Sequence, residues 1–360
     1  MEVWTTTVAS PRGTARVARE REAAGWDGLL VVDSQNLSGD PYVALAMAAM
    51  ATSRIGLGTG VTNNVTRHAA VTACSIASIQ RLSGGRAVLG IGRGDSALAH
   101  LGRAPSRLAP FERYLQQVQS YLRDDSVAFD QIDIPIDIAP PMQELQLADA
   151  PAASRIGWIA EGAPKVPVEV AASGARVISI AARHADRVMF ALGADQDRIA
   201  WGIALARKAR QSAGLDPDRI SFGAYITCGC HTDITTARNL IRGSVTTHAR
   251  FSVMHGAASG PVSVSDQAVL ADLRSAYDMR AHTRADSRQA GVLTEAFIDR
   301  FAVVGPPDRC IARLQGLAAM GLDKVALAGS MRGVSETEAA VARQLLENEV
   351  LPQLRGVRPE

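Results

Sequence analysis

The sequence predicts an α/β protein folded as a (β/α)8 TIM barrel with insertions. Eight short runs are apolar throughout rather than alternating, which suits strands covered on both faces of a parallel sheet. Helical patterns separate most of them, and strands alternating with helices argue for a barrel over an open doubly wound sheet. Three segments also echo one another: "AGWDGLLVVD" (24–33), "RHADRVMFAL" (183–192) and "MGLDKVALAG" (320–329). Each closes a helical pattern, turns at an aspartate and enters a short apolar run.

The elements follow in order. "EVWTTTV" (2–8) is the first strand, and "TARVAREREAAG" (14–25) the first helix, closed by Gly25 where a C′ glycine is expected. The run ending at Asp33 is the second strand, with the helix "PYVALAMAAMA" (41–51) after it. "RIGLGTGV" (54–61) and "RAVLGIG" (86–92) are the third and fourth strands, separated by "HAAVTACSIASIQRLSGG" (68–85). The helix "FERYLQQVQSYLR" (111–123) precedes a long excursion, about 124–165, whose Pro-rich alternation suggests a small hairpin or irregular segment. "VPVEVAA" (166–172), the second echo, "ISFGAYITC" (220–228) and the third echo complete the eight strands, with "DRIAWGIALARKARQSAG" (197–214) as another helix between them. A second excursion, about 232–298, is helical by pattern but broken by "HGAASGPVSVSD". Residues 1–360 are expected to form a single domain, because an α/β barrel of this length commonly does and long insertions in barrels often act as lids or walls.

Composition narrows the function. With 47% hydrophobic and 21% charged residues the chain is globular, and no apolar run is long enough to span a membrane. The formal charge is +2 and the arginines are dispersed, so nucleic acid is not an expected partner. The start "MEVWTTTVAS" has neither a basic n-region nor a cleavable apolar core, and a cytoplasmic location is expected. Cys74, Cys228, Cys230 and Cys310 are too few for a disulfide framework. Cys228, Cys230 and His231 would supply only part of a zinc site, so no metal is expected.

The segment 92–97, "GRGDSA", formally satisfies the G-x-G-x-x-A dinucleotide fingerprint. The acid that should close such a unit about twenty residues later would be Glu112, which lies inside a helical pattern, so the match is weak. In a barrel the same segment lies just beyond the C-terminal end of the fourth strand, where barrel enzymes place their chemistry. Collecting the other strand ends gives Asp33, Ser34 and Gln35; Thr62, Asn63 and Asn64; Ser173 and Gly174; Gly193; Cys228 to His231; and Gly329 with Ser330. This polar, glycine-rich ring suits a large planar cofactor, the glycines letting backbone approach its face.

The stretches "LGTGVTNNVTRHAAVTACSIASIQRLSGGRAVLGIGRGDSALAHLG", "VEVAASGARVISIAARHADRVM" and "FAVVGPPDRCIARLQGLAAMGLDKVAL" resemble the bacterial luciferase-like superfamily, and within it the deazaflavin-dependent methylenetetrahydromethanopterin reductase group. The resemblance implies a barrel that binds coenzyme F420, or alternatively FMN, at its C-terminal mouth. It implies contacts from Asp33, Ser34, Gly60, Val61, Thr62, Asn63, Gly92 and Gly94, with a non-prolyl cis peptide between Gly60 and Val61. It further implies a phosphate-binding segment at Ser173, Gly174, Ala175 and Arg176, where unpaired N–H groups would open a helix. Asp95 matches the carboxylate proposed as proton donor in some relatives, a role that needs burial beneath an apolar ring. Ser34 stands where several sugar-phosphate and alcohol dehydrogenases of the superfamily carry histidine, which argues against a simple alcohol dehydrogenase. His68 reads as structural, and His184 faces the opposite end of the barrel.

The expected function is hydride transfer from reduced coenzyme F420 to an electron-poor small molecule. The alternatives are an FMN-dependent monooxygenase served by a separate reductase and a non-catalytic cofactor-binding protein. The helices 41–51 and 68–80, rich in small residues, together with the resemblance, suggest a homodimer.

Overall fold

A computed structural model describes residues 1–159, 162–254 and 256–354. Among these residues there are ten strands: β1 (Glu2–Val8), β2 (Gly28–Val32), β3 (Gly56–Thr59), β4 (Thr62–Asn63), β5 (Ala87–Gly92), β6 (Val168–Ala172), β7 (Arg187–Phe190), β8 (Ser221–Cys230), β9 (Val303–Gly305) and β10 (Lys324–Ala328). Eight of them close a parallel barrel in the order β1, β2, β3, β5, β6, β7, β8, β10, with β10 paired on its other edge to β1. The expected (β/α)8 architecture is therefore present. Two short strands were not expected: β4 resumes the third strand after a cis Gly60–Val61 peptide, and β9 pairs with the far end of β8, which runs to Cys230.

The echoed aspartates have a common use. Asp27 accepts a hydrogen bond from the Val3 N–H at 2.7 Å, and Asp186 accepts from the Val168 N–H at 2.8 Å, so each satisfies the backbone of a neighbouring strand where it begins. The third, Asp323, instead accepts from Arg187 at 2.9 Å.

Inside the barrel, Trp4, Leu30, Val88, Met189, Tyr225 and Ala326 pack together. The Trp4 ring lies across the lower end, and a Cβ on Gly28 or Gly56 would come within 2.0 or 2.6 Å of it. Those two glycines are thus required by close approach rather than by backbone angle. Outside, helices bury a much larger apolar layer against the strands. The helix Pro11–Ala24 shows why its ends fall where they do: Ser10 accepts from the Gly13 N–H, proline opens the first turn, and Gly25 closes it at φ 88°.

The first excursion holds 3₁₀ turns at Phe129–Gln131 and Met142–Leu145 and an isolated antiparallel bridge between Val127 and Ser154, so it is irregular rather than a hairpin. Its Ala160 and Glu161 lie outside the described residues. The second excursion forms the helices Ile234–Arg250, Val264–Ala276, Arg288–Gly291 and Glu295–Phe301. Leu240, Ile241, Val269, Leu273, Phe297 and Phe301 give it an apolar cluster of its own. His255, in the glycine-rich break, lies outside the described residues.

Candidate active site

A cavity of about 770 Å³ opens at the C-terminal end of the barrel. Of the residues expected there, Asp33, Ser34, Gly60, Val61, Asn63, Gly92, Gly94, Asp95 and Ser173 line it. Gln35, Thr62, Asn64, Gly174, Ala175 and Arg176 do not. Thr62 is fully buried and donates to Asp33 Oδ2 at 2.7 Å, so it supports the wall from behind.

Each wall follows from local sequence. β2 delivers Asp33, whose Oδ2 also accepts from Arg67 Nη1 at 2.5 Å, and Arg67 reaches on to Asp40 at 2.7 Å. Burial opposes the charge on Asp40, yet Arg67 and the N–H groups of Val43 and Tyr42 hold its carboxyl below the ordinary range. Asp33 is thereby an anchor within an ion-pair network. Ser34 Oγ lies 3.3 Å from Ser96 Oγ and ties the end of β2 to the loop after β5. Asn63 Oδ1 accepts from the N–H groups of Val65 and Thr66, which fixes the amide and leaves Nδ2 buried without a partner. Gly94 turns the chain at φ 84°, and a Cβ there would meet Leu98 Cδ1 at 2.6 Å.

The segment Ser173–Arg176 does open the helix Ala175–His184. Gly174 caps it with φ −112° and ψ 150°, no side chain satisfies the first turn, and a Cβ on Gly174 would find only Ser259 Oγ, 3.9 Å away. The first N–H groups therefore stay available to an anion. Arg176 stands in the first turn of this helix, while Arg93 lines the cavity and donates from Nε to the Ser106 carbonyl oxygen at 2.6 Å, and burial lowers Arg93 from the usual guanidinium value.

Asp95 departs from its expected surroundings. Its side chain is 15% exposed and its Oδ2 lies 2.5 Å from Arg250 Nη1 instead of beneath an apolar wall. It makes no cap bond to the short helix Ser96–Ala99. Gly193 lies against Phe301, and Cys228 to His231 sit where β8 pairs with β9, with His231 Nε2 3.0 Å from Glu338. None of these five lines the cavity: Gly193, after β7, packs on Phe301, and β8 outruns the barrel before Cys228 to His231 are reached. No cluster able to hold a metal occurs among the described residues. His68 caps the helix Ala69–Leu82 and His184 pairs with Glu112, both structural roles.

The residues missed from the sequence come mainly from the second excursion. Thr247, His248, Phe251 and Met254 descend from one helix end, while Met279 and His282 arrive from the turn beyond Val264–Ala276. Tyr225 rises from the β8 interior with its hydroxyl buried and unpartnered. The only local signal was "THARF" (247–251), which crowds polar and aromatic groups into one helical turn.

Comparison with known proteins agrees with this architecture. The chain is 28% identical over 332 residues to the 5,10-methylenetetrahydromethanopterin reductase of Methanolobus tindarius, covering 90% of this chain and 92% of that one. The coenzyme F420-dependent tetrahydromethanopterin reductase of Methanopyrus kandleri superposes with a TM-score of 0.71 at 20% identity, over 98% of this chain and 99% of that one. An F420-dependent secondary alcohol dehydrogenase solved with an F420–acetone adduct gives 0.70 at 16% identity, with the same coverage. The model of the luciferase-like monooxygenase family matches residues 2–324, which spans every barrel strand up to the first residue of β10, and the chain belongs to that family.

Proposed function

We propose that this protein is an oxidoreductase that passes a hydride from reduced coenzyme F420 to an electron-poor C=O, C=N or C=C group of a small molecule. The observation that carries the reading is the large cavity at the C-terminal mouth, whose lining residues include Asn63 and Tyr225 with Nδ2 and Oη buried and unpartnered. Buried polar atoms of this kind cost stability unless a ligand completes them. The wall between them suits a flat ring. Gly60, Gly92 and Gly94 line it without side chains, and Val61 supplies an apolar contact. The names of the relatives above, two of which use F420, support the same cofactor.

In this reading the ring lies against Gly60, Val61, Gly92 and Gly94, where the coenzyme supplies the hydride when bound. The helix terminus at Gly174 and Ala175, with Arg176 and Arg93 nearby, holds its phosphate. Phe251 and Met254 cover the site and exclude water. Asp95 is retained as a residue of the reacting centre, acting through Arg250, and the substrate enters between this wall and the second excursion. The family also includes monooxygenases, and the same fold would serve FMN.

Titration of the purified protein with F420 and, separately, with FMN, followed by ligand fluorescence, tests the assignment. F420 is expected to bind at micromolar concentration or tighter and FMN far more weakly. Preferential FMN binding would reassign the protein as a monooxygenase, and uptake of neither would end the cofactor assignment.

We also propose a homodimer through the helices Pro41–Ala51 and Ala69–Leu82. Val43, Met47, Met50 and Val71 stand exposed on them, Met50 by 71%. Light scattering should give twice the 38.0 kDa chain mass and fall to one chain in Met50→Glu.

A further inference from the structure

Two histidines of the second excursion face the cavity, and their partners set opposite tautomers. His248 Nδ1 lies 2.9 Å from the Ser244 carbonyl oxygen one turn back in its helix. A carbonyl only accepts, so Nδ1 carries the proton and Nε2 presents a lone pair. His282 Nδ1 lies 2.7 Å from Tyr277 Oη. Between a phenol and a neutral imidazole, the phenol is the stronger donor and the imidazole nitrogen the stronger acceptor, so the bond runs O–H to Nδ1. Arg250 sharpens that direction: its guanidinium stands over the Tyr277 ring, 4.6 Å from the centroid, and makes the oxygen a poorer acceptor. Asp95 holds Arg250 in place from the other side. The proton of His282 is then on Nε2, for which no hydrogen-bond partner is found among the described residues, although the side chain lines the cavity.

We propose that His282 is a catalytic residue that donates an Nε2–H hydrogen bond to the reducible C=O or C=N of the substrate, with Tyr277 as the residue that positions it. His248 Nε2 accepts from an N–H or O–H of the same molecule. The assignment rests on the reductase reading for its reaction and narrows the substrate to one bearing both a polarisable acceptor and a donor. Both rings are neutral at physiological pH. Burial lowers His282 to about 4, with Asp95 opposing and Arg250, His248 and His100 reinforcing the shift, and burial likewise lowers His248. Burial also raises the Tyr277 phenol to about 12, against the pull of Arg250, so it keeps its proton. A neutral imidazole in this position polarises a carbonyl as charge develops on its oxygen, without carrying charge of its own, and the oxyanion left by hydride addition takes its proton from water.

The chain has seven histidines, few enough for long-range ¹H–¹⁵N spectra of the full-length protein, with His282→Gln assigning the resonance. His282 is expected as the Nε2–H tautomer from pH 5 to 8 and as a mixture in Tyr277→Phe. An Nδ1–H tautomer in the wild type, or one indifferent to Tyr277→Phe, overturns the proposal. Turnover is read as oxidation of reduced F420 by 4-hydroxycyclohex-2-enone, a simple conjugated C=O probe that also carries an O–H donor. His282→Ala should lower kcat on the order of 100-fold with F420 affinity unchanged, and His282→Gln, which keeps an amide N–H, should recover much of it. Unaltered kcat in His282→Ala, or a wild type that leaves reduced F420 unoxidised by the enone, overturns the carbonyl-polarising role while F420 binding stands. A wild type that takes up no F420 removes the reductase reading itself, and with it the catalytic role, whatever the tautomer.

Discussion

The two ends of the barrel treat buried polar groups in opposite ways. At the N-terminal end Lys324 and Glu169 are both 0% exposed, and Lys324 Nζ lies 2.9 and 2.8 Å from the two carboxylate oxygens. The same ammonium stands 3.3 Å from the centre of the Trp4 ring, Arg187 adds a second ion pair to Glu169, and Arg187 continues to Asp323. Every charge there has a partner within the protein. At the mouth, Asn63 Nδ2 and Tyr225 Oη are buried without a partner, and His282, which lines the cavity, has no partner at Nε2 among the described residues. One end is finished by folding, and the proposed function leaves the other to a ligand.

The largest effect should come from opening the finished end. Glu169→Leu leaves Lys324 as an uncompensated buried charge while Arg187 keeps Asp323, so urea denaturation should show a loss of about 3–5 kcal/mol. A loss below about 1 kcal/mol would break the contrast. Gly174→Asp works on the unfinished end: it places a carboxylate where an anion is expected and the structure has room for it. F420 affinity should fall about 100-fold, roughly 2.7 kcal/mol, with the thermal midpoint almost unmoved. Comparable losses of affinity and stability would remove the distinction.

A smaller effect follows from the buried imidazoles. Their folded pKa values lie below the unfolded value of about 6.5, so below that pH the unfolded chain binds protons that the folded chain does not. Stability should therefore decline as pH falls from about 6.5 toward about 4, and His282→Gln should flatten the part owed to that residue. Denaturation midpoints across this range measure it. The smallest change is Tyr225→Phe. Removing an orphaned hydroxyl should stabilise the protein by about 0.5–1 kcal/mol while weakening ligand binding about tenfold, as calorimetry and titration would show. Loss of stability would mean that the hydroxyl is satisfied without ligand.

Much of the mouth was legible in the sequence, because the alternation of apolar runs with helices fixes which residues stand at the C-terminal ends of strands. Asp33, Asn63, Gly92 and Asp95 converge for that reason. The same rule misplaced Cys228 to His231, since strand length was set by the unforeseen pairing of β8 with β9. The residues of the second excursion carried no legible pattern. His248 and His282 become neighbours of one cavity only through the fold of an irregular segment, and no spacing rule connects them.

The sequence by itself determined the periodicity: a covered parallel sheet, helices between its strands, and polar residues at strand ends. These depend on local steric preference and on which faces are buried. The tertiary structure decided the electrostatics. Asp95 and Arg250 stand 155 residues apart in sequence and 2.5 Å apart in space, and whether a group is paired, neutral or left facing a ligand depends on such distances and on exclusion of water.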